Sequence, residues 1–100
     1  MILSYEVVVD VVEEVAAAFE TYMREKHIPE ILETGCFVGA SFERAAPTRF
    51  RTSYRGSQAG LERYLAEHAA GFREDFLKHF PSGAVPSRNV WAPVQAWHEG

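Results

Sequence analysis

Cysteines, clusters of basic residues and long apolar runs are all scarce in this chain of 100 residues. The single cysteine, Cys36, has no partner for an internal disulfide and no neighbouring cysteine that would build a zinc cluster. The ten lysines and arginines form no run, and the formal net charge is −4, which opposes nucleic-acid binding. No stretch approaches the roughly 18 apolar residues of a membrane span. We therefore expect neither a nucleic acid nor a membrane as a partner.

Targeting signals and phosphate-binding motifs are lacking as well. The first six residues carry no basic region of the kind that opens a signal peptide, which favours a cytoplasmic location. The sequence contains no Gly-rich phosphate loop, no nucleophile elbow and no dinucleotide fingerprint. No carboxylate–histidine spacing supports a metal site. We accordingly expect no cofactor and no metal.

A single packed domain is what the composition supports. Apolar residues make up 47% of the chain, enough for a globular core and too many for intrinsic disorder. The length suits one domain, and no linker, repeat or low-complexity segment divides it. We therefore expect residues 1–100 to form one domain.

The first half of the chain predicts a strand followed by a helix. Residues Ile2–Val9 alternate apolar and polar side chains, as a half-buried strand does. Asp10 and Glu13 then form an Asp variant of the capping box, which predicts that the helix begins here. Because Pro29 cannot donate a backbone hydrogen bond, we expect the helix to break or kink near His27.

The second half predicts two adjacent strands, a long helix and a last strand. Residues 36–43 and 49–55 alternate and are joined by a tight turn, which indicates an antiparallel hairpin. Ser57 can cap an amphipathic helix that continues to Phe80. Residues 88–98 alternate again, and Pro93 predicts that this strand lies at an edge of the sheet.

The element order predicts an α+β, ferredoxin-like βαββαβ fold with a four-stranded antiparallel sheet and both helices on one face. The opposite face of the sheet would then carry charged and aromatic side chains that one small domain cannot bury. Such a face predicts a homodimer in which two sheets stack into a barrel-like pair. These side chains are Glu6, Phe37, Glu43, Arg49, Arg51, Arg55, Trp91 and Trp97.

Three segments resemble a bacterial family of proteins of about 100 residues that is labelled a domain of unknown function. They are His27-Ile-Pro-Glu30, Thr34-Gly-Cys-Phe37 and Leu61-Glu-Arg-Tyr-Leu-Ala-Glu-His68. More remotely, the chain is similar to the dimeric α/β-barrel superfamily, which includes cofactor-free monooxygenases, isomerases and small stress-response proteins. The first resemblance implies no assigned activity, and a shared fold alone does not establish a function.

Two histidines are the candidates for catalysis. His27 stands at the expected helix break, where a titratable ring could line a pocket, or could instead satisfy carbonyls that the proline leaves free. His68 lies on the apolar stripe of the second helix, where it could act as a general base or be a hydrogen-bonded core histidine. We expect His68 to be structural and His27 to be partly exposed.

The candidate ligand-binding residues are Glu6, Arg51, Trp91 and Trp97 on the open face of the sheet. Their arginine could bind a carboxylate, or could form cross-strand ion pairs with Glu6 and Glu43. Two functions stay open. The first is a homodimeric binding or accessory module, and the second is a cofactor-free enzyme that acts on a small aromatic or anionic molecule.

Overall fold

Four antiparallel strands with helices on one face make up the chain, as shown by a computed structural model that describes residues 1–98. The strands are β1 (Leu3–Val11), β2 (Gly39–Ala46), β3 (Arg49–Gly56) and β4 (Ala84–Trp91). The helical segments are α1 (Glu13–Tyr22), a π-helical turn (Met23–His27), α2 (Ile28–Glu33), α3 (Gln58–Glu67) and α4 (Ala69–His79).

The strand order in the sheet is β2-β3-β1-β4, and each neighbouring pair is antiparallel. This order confirms the predicted ferredoxin-like α+β fold, in which β1 and β3 are central and β2 and β4 are the edges. Within residues 1–98, no helix is long and apolar enough to cross a membrane.

The pleat divides the sheet into a helix side and an open side. The register pairs Tyr5 with Tyr54 and Val9 with Phe50, and these four buried side chains share the helix side. On the open side, β1 and β3 carry charged residues instead. Phe19 of α1 is fully buried against the helix side, where its ring packs on those of Phe42, Phe50, Phe76 and Phe80.

The first helix does not begin with the predicted capping box. β1 continues to Val11, Val12 is the N-cap, and no side chain caps the helix. Asp10 remains in the strand, and its carboxylate lies 3.7 Å from the guanidinium of Arg49. The pattern was misleading because two more residues of β1 pair with β4 before the helix starts.

Regular α-helical geometry is interrupted near His27, as expected, but the chain does not leave the helix. The chain instead widens into the π-helical turn, in which the Ile28 N–H reaches the carbonyl of Met23, and it then continues as α2. A wider turn gives room to the proline ring, which would otherwise collide with the preceding turn. The helix ends before Gly35, whose left-handed φ of 75° is typical of the residue that follows a helix.

The second helix is interrupted, where one continuous helix was predicted. Ser57 caps α3 as expected, because its hydroxyl accepts a 3.0 Å hydrogen bond from the Gly60 N–H. At His68 the backbone leaves helical geometry (φ −125°, ψ −34°), and α4 follows. Tyr64 and Ala69 are both buried. In a straight helix these two side chains, five residues apart, would differ in direction by about 140° around the helix axis and could not both face the sheet. The interruption turns both toward the sheet.

The segment before β2 folds inward, which corrects the predicted position of Phe37. β2 begins at Gly39, so Cys36 and Phe37 precede it and do not alternate as strand residues. Both are buried on the helix side in the cluster that contains Tyr5 and Tyr54. Val38, the next residue, is 77% exposed.

The last strand lies earlier in the chain than predicted. β4 occupies residues 84–91, while residues 92–98 have no regular secondary structure. Trp91 pairs with Ser4, so β1 offers almost no further backbone to a longer β4. β4 is an edge strand as expected, but the proline within it is Pro86 and not Pro93, and Trp97 is outside the sheet.

Candidate functional site

A cavity of about 40 Å³ lies between the helix side of the sheet and the helices, next to β4. Aromatic and aliphatic side chains from β1, β3, α3 and α4 form most of its wall. Its polar or charged members come mainly from the helices and β4: His27, Arg73 and Arg88, together with the hydroxyls of Tyr5, Tyr54 and Tyr64.

The composition of β4 explains why space remains here. Its residues on the helix side pair with the apolar residues of β1, with Pro86 opposite Val9 and Arg88 opposite Val7. Neither supplies a bulky apolar side chain to fill the layer beneath the helices. Arg88 and the neighbouring Val90 are exposed, so the cavity is open toward this edge of the sheet.

Tyrosine rings form the inner end of the cavity. Tyr5 packs with Tyr54 and Tyr64 at centroid distances of 6.2 and 6.0 Å. Burial raises the pKa of both Tyr54 and Tyr64 well above the usual tyrosine value, so their hydroxyls keep their protons near neutral pH. The Arg73 guanidinium reaches the Tyr5 hydroxyl at 3.5 Å. The wall thus combines apolar faces with neutral hydroxyl groups.

His27 belongs to this wall and is half-buried. Its ring packs edge-on against Phe72 at 5.9 Å and close to Phe76 at 6.1 Å. Burial among these rings lowers its pKa to about 4, although the nearby Asp75 carboxylate opposes the change. At neutral pH the imidazole is therefore uncharged, and one of its nitrogens can accept a hydrogen bond.

A chain of hydrogen bonds connects His27 to α4. The Tyr22 hydroxyl lies 3.2 Å from His27 Nδ1 and donates to Asp75 Oδ2 at 2.7 Å. Lys26 Nζ donates to the same Asp75 oxygen at 3.0 Å and to Glu30 at 3.2 Å. The hydrogen bonds from Tyr22 and Lys26 hold the pKa of Asp75 below its usual value, so this carboxylate stays charged.

The second predicted histidine, His68, does not line this cavity. It is half-buried at the junction of α3 and α4, in a shallow groove on the outer surface that also includes Lys26, Glu67 and Asp75. The structure thus does not bring His27 and His68 into one site. Within residues 1–98, no group of three or more His, Cys, Asp or Glu side chains could hold a metal ion.

The predicted ligand-binding residues are only partly brought together. Arg51 and Glu6 lie 3.9 Å apart on the open side, where the Arg51 guanidinium also bonds Glu43 at 2.7 Å. Trp91 shares this side at the end of β4 and is 57% exposed. Trp97 is 80% exposed and follows the last strand. A binding role for these four residues stays a prediction.

Sequence reasoning missed the two arginines of the cavity wall, Arg73 and Arg88. It also missed Tyr22 and Asp75, which are hydrogen-bonded in a chain to His27. Tyr22 and Asp75 are 53 residues apart in the chain, so no local pattern connects them. One usable signal was present for Arg88. Once β4 is placed at residues 84–91, Arg88 becomes the one charged residue of this strand on the helix side.

Solved structures with the same fold include two oxygenases from Streptomyces. SnoaB from Streptomyces nogalater, a cofactor-independent oxygenase, superposes with a TM-score of 0.76 at 15% identity, over 98% of both chains. The monooxygenase ActVA-Orf6 from Streptomyces coelicolor, solved with the ligand nanaomycin D, has the same score and identity over 98% of this chain and 92% of that one. At such identity the likeness shows the fold and does not show the function.

A dimeric ferredoxin-like protein from an uncultured marine organism is also similar, with a TM-score of 0.68 at 17% identity over 96% of this chain and 98% of that one. No curated protein matches this chain in sequence. Residues 1–93, however, match a protein family over nearly the whole chain. The chain therefore belongs to the family described as a domain of unknown function, DUF4286.

Proposed function

We propose that this protein binds a small, planar, anionic aromatic molecule in the cavity beside β4. The observation that supports this most is the composition of the wall, where aromatic rings surround an uncharged histidine and two arginines stand at the open end. Binding sites for small molecules are typically apolar clefts with a few convergent polar groups.

The size of the cavity determines how such a ligand would enter. A cavity that holds benzene measures about 150 Å³, whereas this one measures about 40 Å³. A ligand ring must therefore extend outward past Arg73 and Arg88. Both side chains are exposed, and an exposed arginine changes rotamer at little cost. We expect the ring to insert from the β4 edge and to displace these two side chains.

The charge of the opening favours an anion. Neither Arg73 nor Arg88 lies within salt-bridge distance of a carboxylate among residues 1–98, whereas Arg51 on the open side is held by Glu43. A guanidinium without a carboxylate partner is available to a ligand carboxylate, which it can bind with two parallel hydrogen bonds. An aromatic carboxylate fits both the rings and the arginines.

The test is a titration with 2-naphthoate, in which NMR chemical shifts locate the binding site and calorimetry measures the affinity. We expect shifts confined to residues that line the cavity, and a weaker affinity in Arg88→Gln and Arg73→Gln. Arg24→Gln is the matched control, because Arg24 is an exposed arginine outside the cavity wall. Shifts on the open side of the sheet, or equal affinity in all three variants, would contradict the proposed site.

We also propose that two copies of the protein pair through the open side of the sheet. Supporting observations are the exposed Trp91 and Val85 on this side and the likeness to a dimeric ferredoxin-like protein. Since Phe37 is buried in the chain's own core, the apolar area of this side is smaller than the sequence suggested. Sedimentation at micromolar concentration should give a dimer, and Trp91→Ala should weaken it. A monomer at all concentrations would contradict the pairing.

A second candidate function is cofactor-free oxidation of an aromatic ligand by O₂. The fold that the chain shares with a cofactor-independent oxygenase favours it. The uncharged imidazole of His27 offers an acceptor for the hydrogen bond of a phenolic hydroxyl and would orient the ring, whereas its lowered pKa makes it a weak base. Oxygen uptake by the purified protein with 1-naphthol, without added metal or flavin, would test it. We expect His27→Gln to abolish uptake while 2-naphthoate still binds. Uptake that persists in His27→Gln would exclude this histidine from the reaction.

A further inference from the structure

Three side chains from different parts of the helix layer form a continuous hydrogen-bonded chain that ends at the cavity. Asp75 lies on α4, Tyr22 ends α1, and His27 ends the π-helical turn. Tyr22 Oη is the link, at 2.7 Å from Asp75 Oδ2 and 3.2 Å from His27 Nδ1. This one hydroxyl therefore contacts two groups that can each accept a proton.

Counting protons decides which way each hydrogen bond runs. The tyrosine hydroxyl has one hydrogen, and an ionised carboxylate has none to donate. A 2.7 Å contact between Tyr22 and Asp75 thus requires that the hydroxyl hydrogen points to the carboxylate. The same conclusion follows from the raised pKa of Tyr22, which burial and the Asp75 carboxylate cause, and from the lowered pKa of Asp75.

The histidine must then supply the other hydrogen. Since the only hydrogen of Tyr22 is used by Asp75, His27 Nδ1 can approach the tyrosine oxygen at 3.2 Å only as a donor. A neutral imidazole has one N–H, so the hydrogen is on Nδ1 and Nε2 carries a free lone pair. Among residues 1–98, the hydrogen bonds of this ring are confined to Nδ1.

The Nε2 atom of His27 is not fully enclosed by the protein. Within the described part of the chain, no side-chain nitrogen or oxygen is both enclosed and without a hydrogen bond. An Nε2 atom without a partner is therefore accessible. Because His27 belongs to the cavity wall, the group that complements Nε2 there is a hydrogen-bond donor.

We propose that Asp75 and Tyr22 are positioning residues that fix His27 as the Nδ1–H tautomer, and that the cavity consequently selects an aromatic acid that also bears a hydroxyl group. This inference rests on the proposed function, and it narrows the ligand class to hydroxyaryl carboxylates. The carboxylate meets Arg73 or Arg88, and the hydroxyl donates to His27 Nε2.

Other charged groups around this chain leave the assignment unchanged. Lys26 donates to Asp75 and therefore favours its ionised form. His79 contacts the Asp75 backbone carbonyl through Nδ1 at 2.9 Å, and its ring lies 4.5 Å from that of Tyr22. Glu30 is held by Lys26, and Arg88 disfavours a charged His27. None of these groups offers an acceptor to Tyr22 in place of Asp75.

The first test reads the tautomer without any ligand, from two-bond ¹H–¹⁵N NMR correlations of the imidazole rings, with His27 assigned through His27→Gln. We expect Nδ1–H in the native protein. In Asp75→Leu the Tyr22 hydroxyl loses its acceptor and donates to Nδ1, so His27 should change to Nε2–H. Glu74→Leu is the matched control, because Glu74 is an exposed carboxylate next to Asp75 on the same helix.

A native His27 in the Nε2–H form, or an unchanged tautomer in Asp75→Leu, would overturn the positioning role. A purely structural role for Asp75 would alter stability and leave the tautomer as it is. Tyr22→Phe gives an independent check, since it removes the link and should leave a mixture of both tautomers.

The second test measures selectivity with 4-hydroxybenzoate and 4-methoxybenzoate, which differ in whether the para oxygen can donate. We expect the native protein and Glu74→Leu to prefer 4-hydroxybenzoate by about tenfold, and Asp75→Leu to lose this preference. Equal binding of the two acids to the native protein would overturn the ligand class while the cavity remains a binding site. If neither acid nor 2-naphthoate binds, the proposed function fails, and the tautomer result is unaffected.

Discussion

Polar side chains are stabilised differently on the two sides of the sheet. On the open side, charges pair across strands in water, as Arg51 does with Glu43 and Glu6, and Arg49 with Asp10. On the helix side, aromatic rings fill the layer, and its polar groups depend on a few directed hydrogen bonds such as those of Tyr22. A charge on the open side is compensated by solvent and is worth little in stability.

This difference between the two sides indicates that the helix side is the better place to look for a functional site. The larger number of charged side chains on the open side attracted attention in the sequence, but their environment barely alters what they do. On the helix side a single imidazole has its pKa moved from 6.5 to about 4, because water is replaced by rings. Such a shift is a better indication of a site than the density of charge.

The largest test of this contrast compares one aromatic residue from each side. Phe19→Ala removes a fully buried ring that packs on four others, and we expect a loss of about 3–5 kcal/mol in the free energy of unfolding. Trp91→Ala on the open side should cost the monomer less than about 1 kcal/mol. Denaturant titrations measure both, and equal losses would overturn the assignment of the core to the helix side.

A pH titration of stability tests the environment of His27. Its neutral form is favoured in the folded state, so the unfolded chain binds more protons between pH 6.5 and about 4. Stability should therefore be fully present above pH 6.5 and fall by on the order of 2–3 kcal/mol as the pH drops to about 4.

His27→Gln should flatten the pH dependence in this window, and His98→Gln should not. The lowered pKa of Asp75 acts below the ordinary aspartate value of 3.8, so its effect is separate. A native protein whose denaturant midpoint is constant from pH 7 to pH 4.5 would show that His27 is in contact with water.

A smaller effect distinguishes two residues that look alike in the sequence as helix caps. Ser57→Ala removes the acceptor for the Gly60 N–H and should cost about 1 kcal/mol. Asp10→Ala removes only a side chain on the open side, 3.7 Å from Arg49, and should cost less than about 0.5 kcal/mol. The denaturant midpoints of the two variants give the comparison. A larger loss in Asp10→Ala would restore the capping box.

The smallest effect is expected from the ion pairs of the open side. Glu43 holds the pKa of Arg51 above its usual value, but the guanidinium is exposed to solvent. We expect Arg51→Gln to leave the denaturant midpoint unchanged within error, at both low and high salt. This expectation applies to the monomer, in which the guanidinium is exposed. A marked salt-dependent loss that appears only at concentrations at which the dimer forms would support the proposed pairing, whereas such a loss in the monomer would contradict the exposed position of Arg51.

The fold was predictable because its central strands carry their full pattern in the sequence. β1 and β3 alternate on both sides of a half-buried sheet, and Ser57 and Gly35 mark helix ends through local chemistry. The sequence-based predictions were wrong where the structure of a segment depends on residues that are distant in the chain. The alternation from Arg88 to His98 predicts a strand, but β4 must end where β1 has no residues left to pair.

The candidate site divides in the same way. His27 was identified because Pro29 disturbs its helix locally. Its partners could not be found, since Tyr22 and Asp75 meet only after two helices pack together. Phe37 was assigned to the wrong side because alternation was extended into a segment that is not a strand.

The burial of Cys36 makes the reactivity of its thiol a measure of how often the helices separate from the sheet. The thiol sits in the same cluster as Tyr5 and Tyr64, beneath α3, and Gly60 of that helix is packed so tightly on the Cys36 carbonyl that an added methyl group would collide with it. A thiol reagent can reach it only when the helices lift from the sheet. Because the chain has one cysteine, the rate at which it is labelled measures how often that opening occurs. A ligand that bridges α4 and β4 would lower this labelling rate.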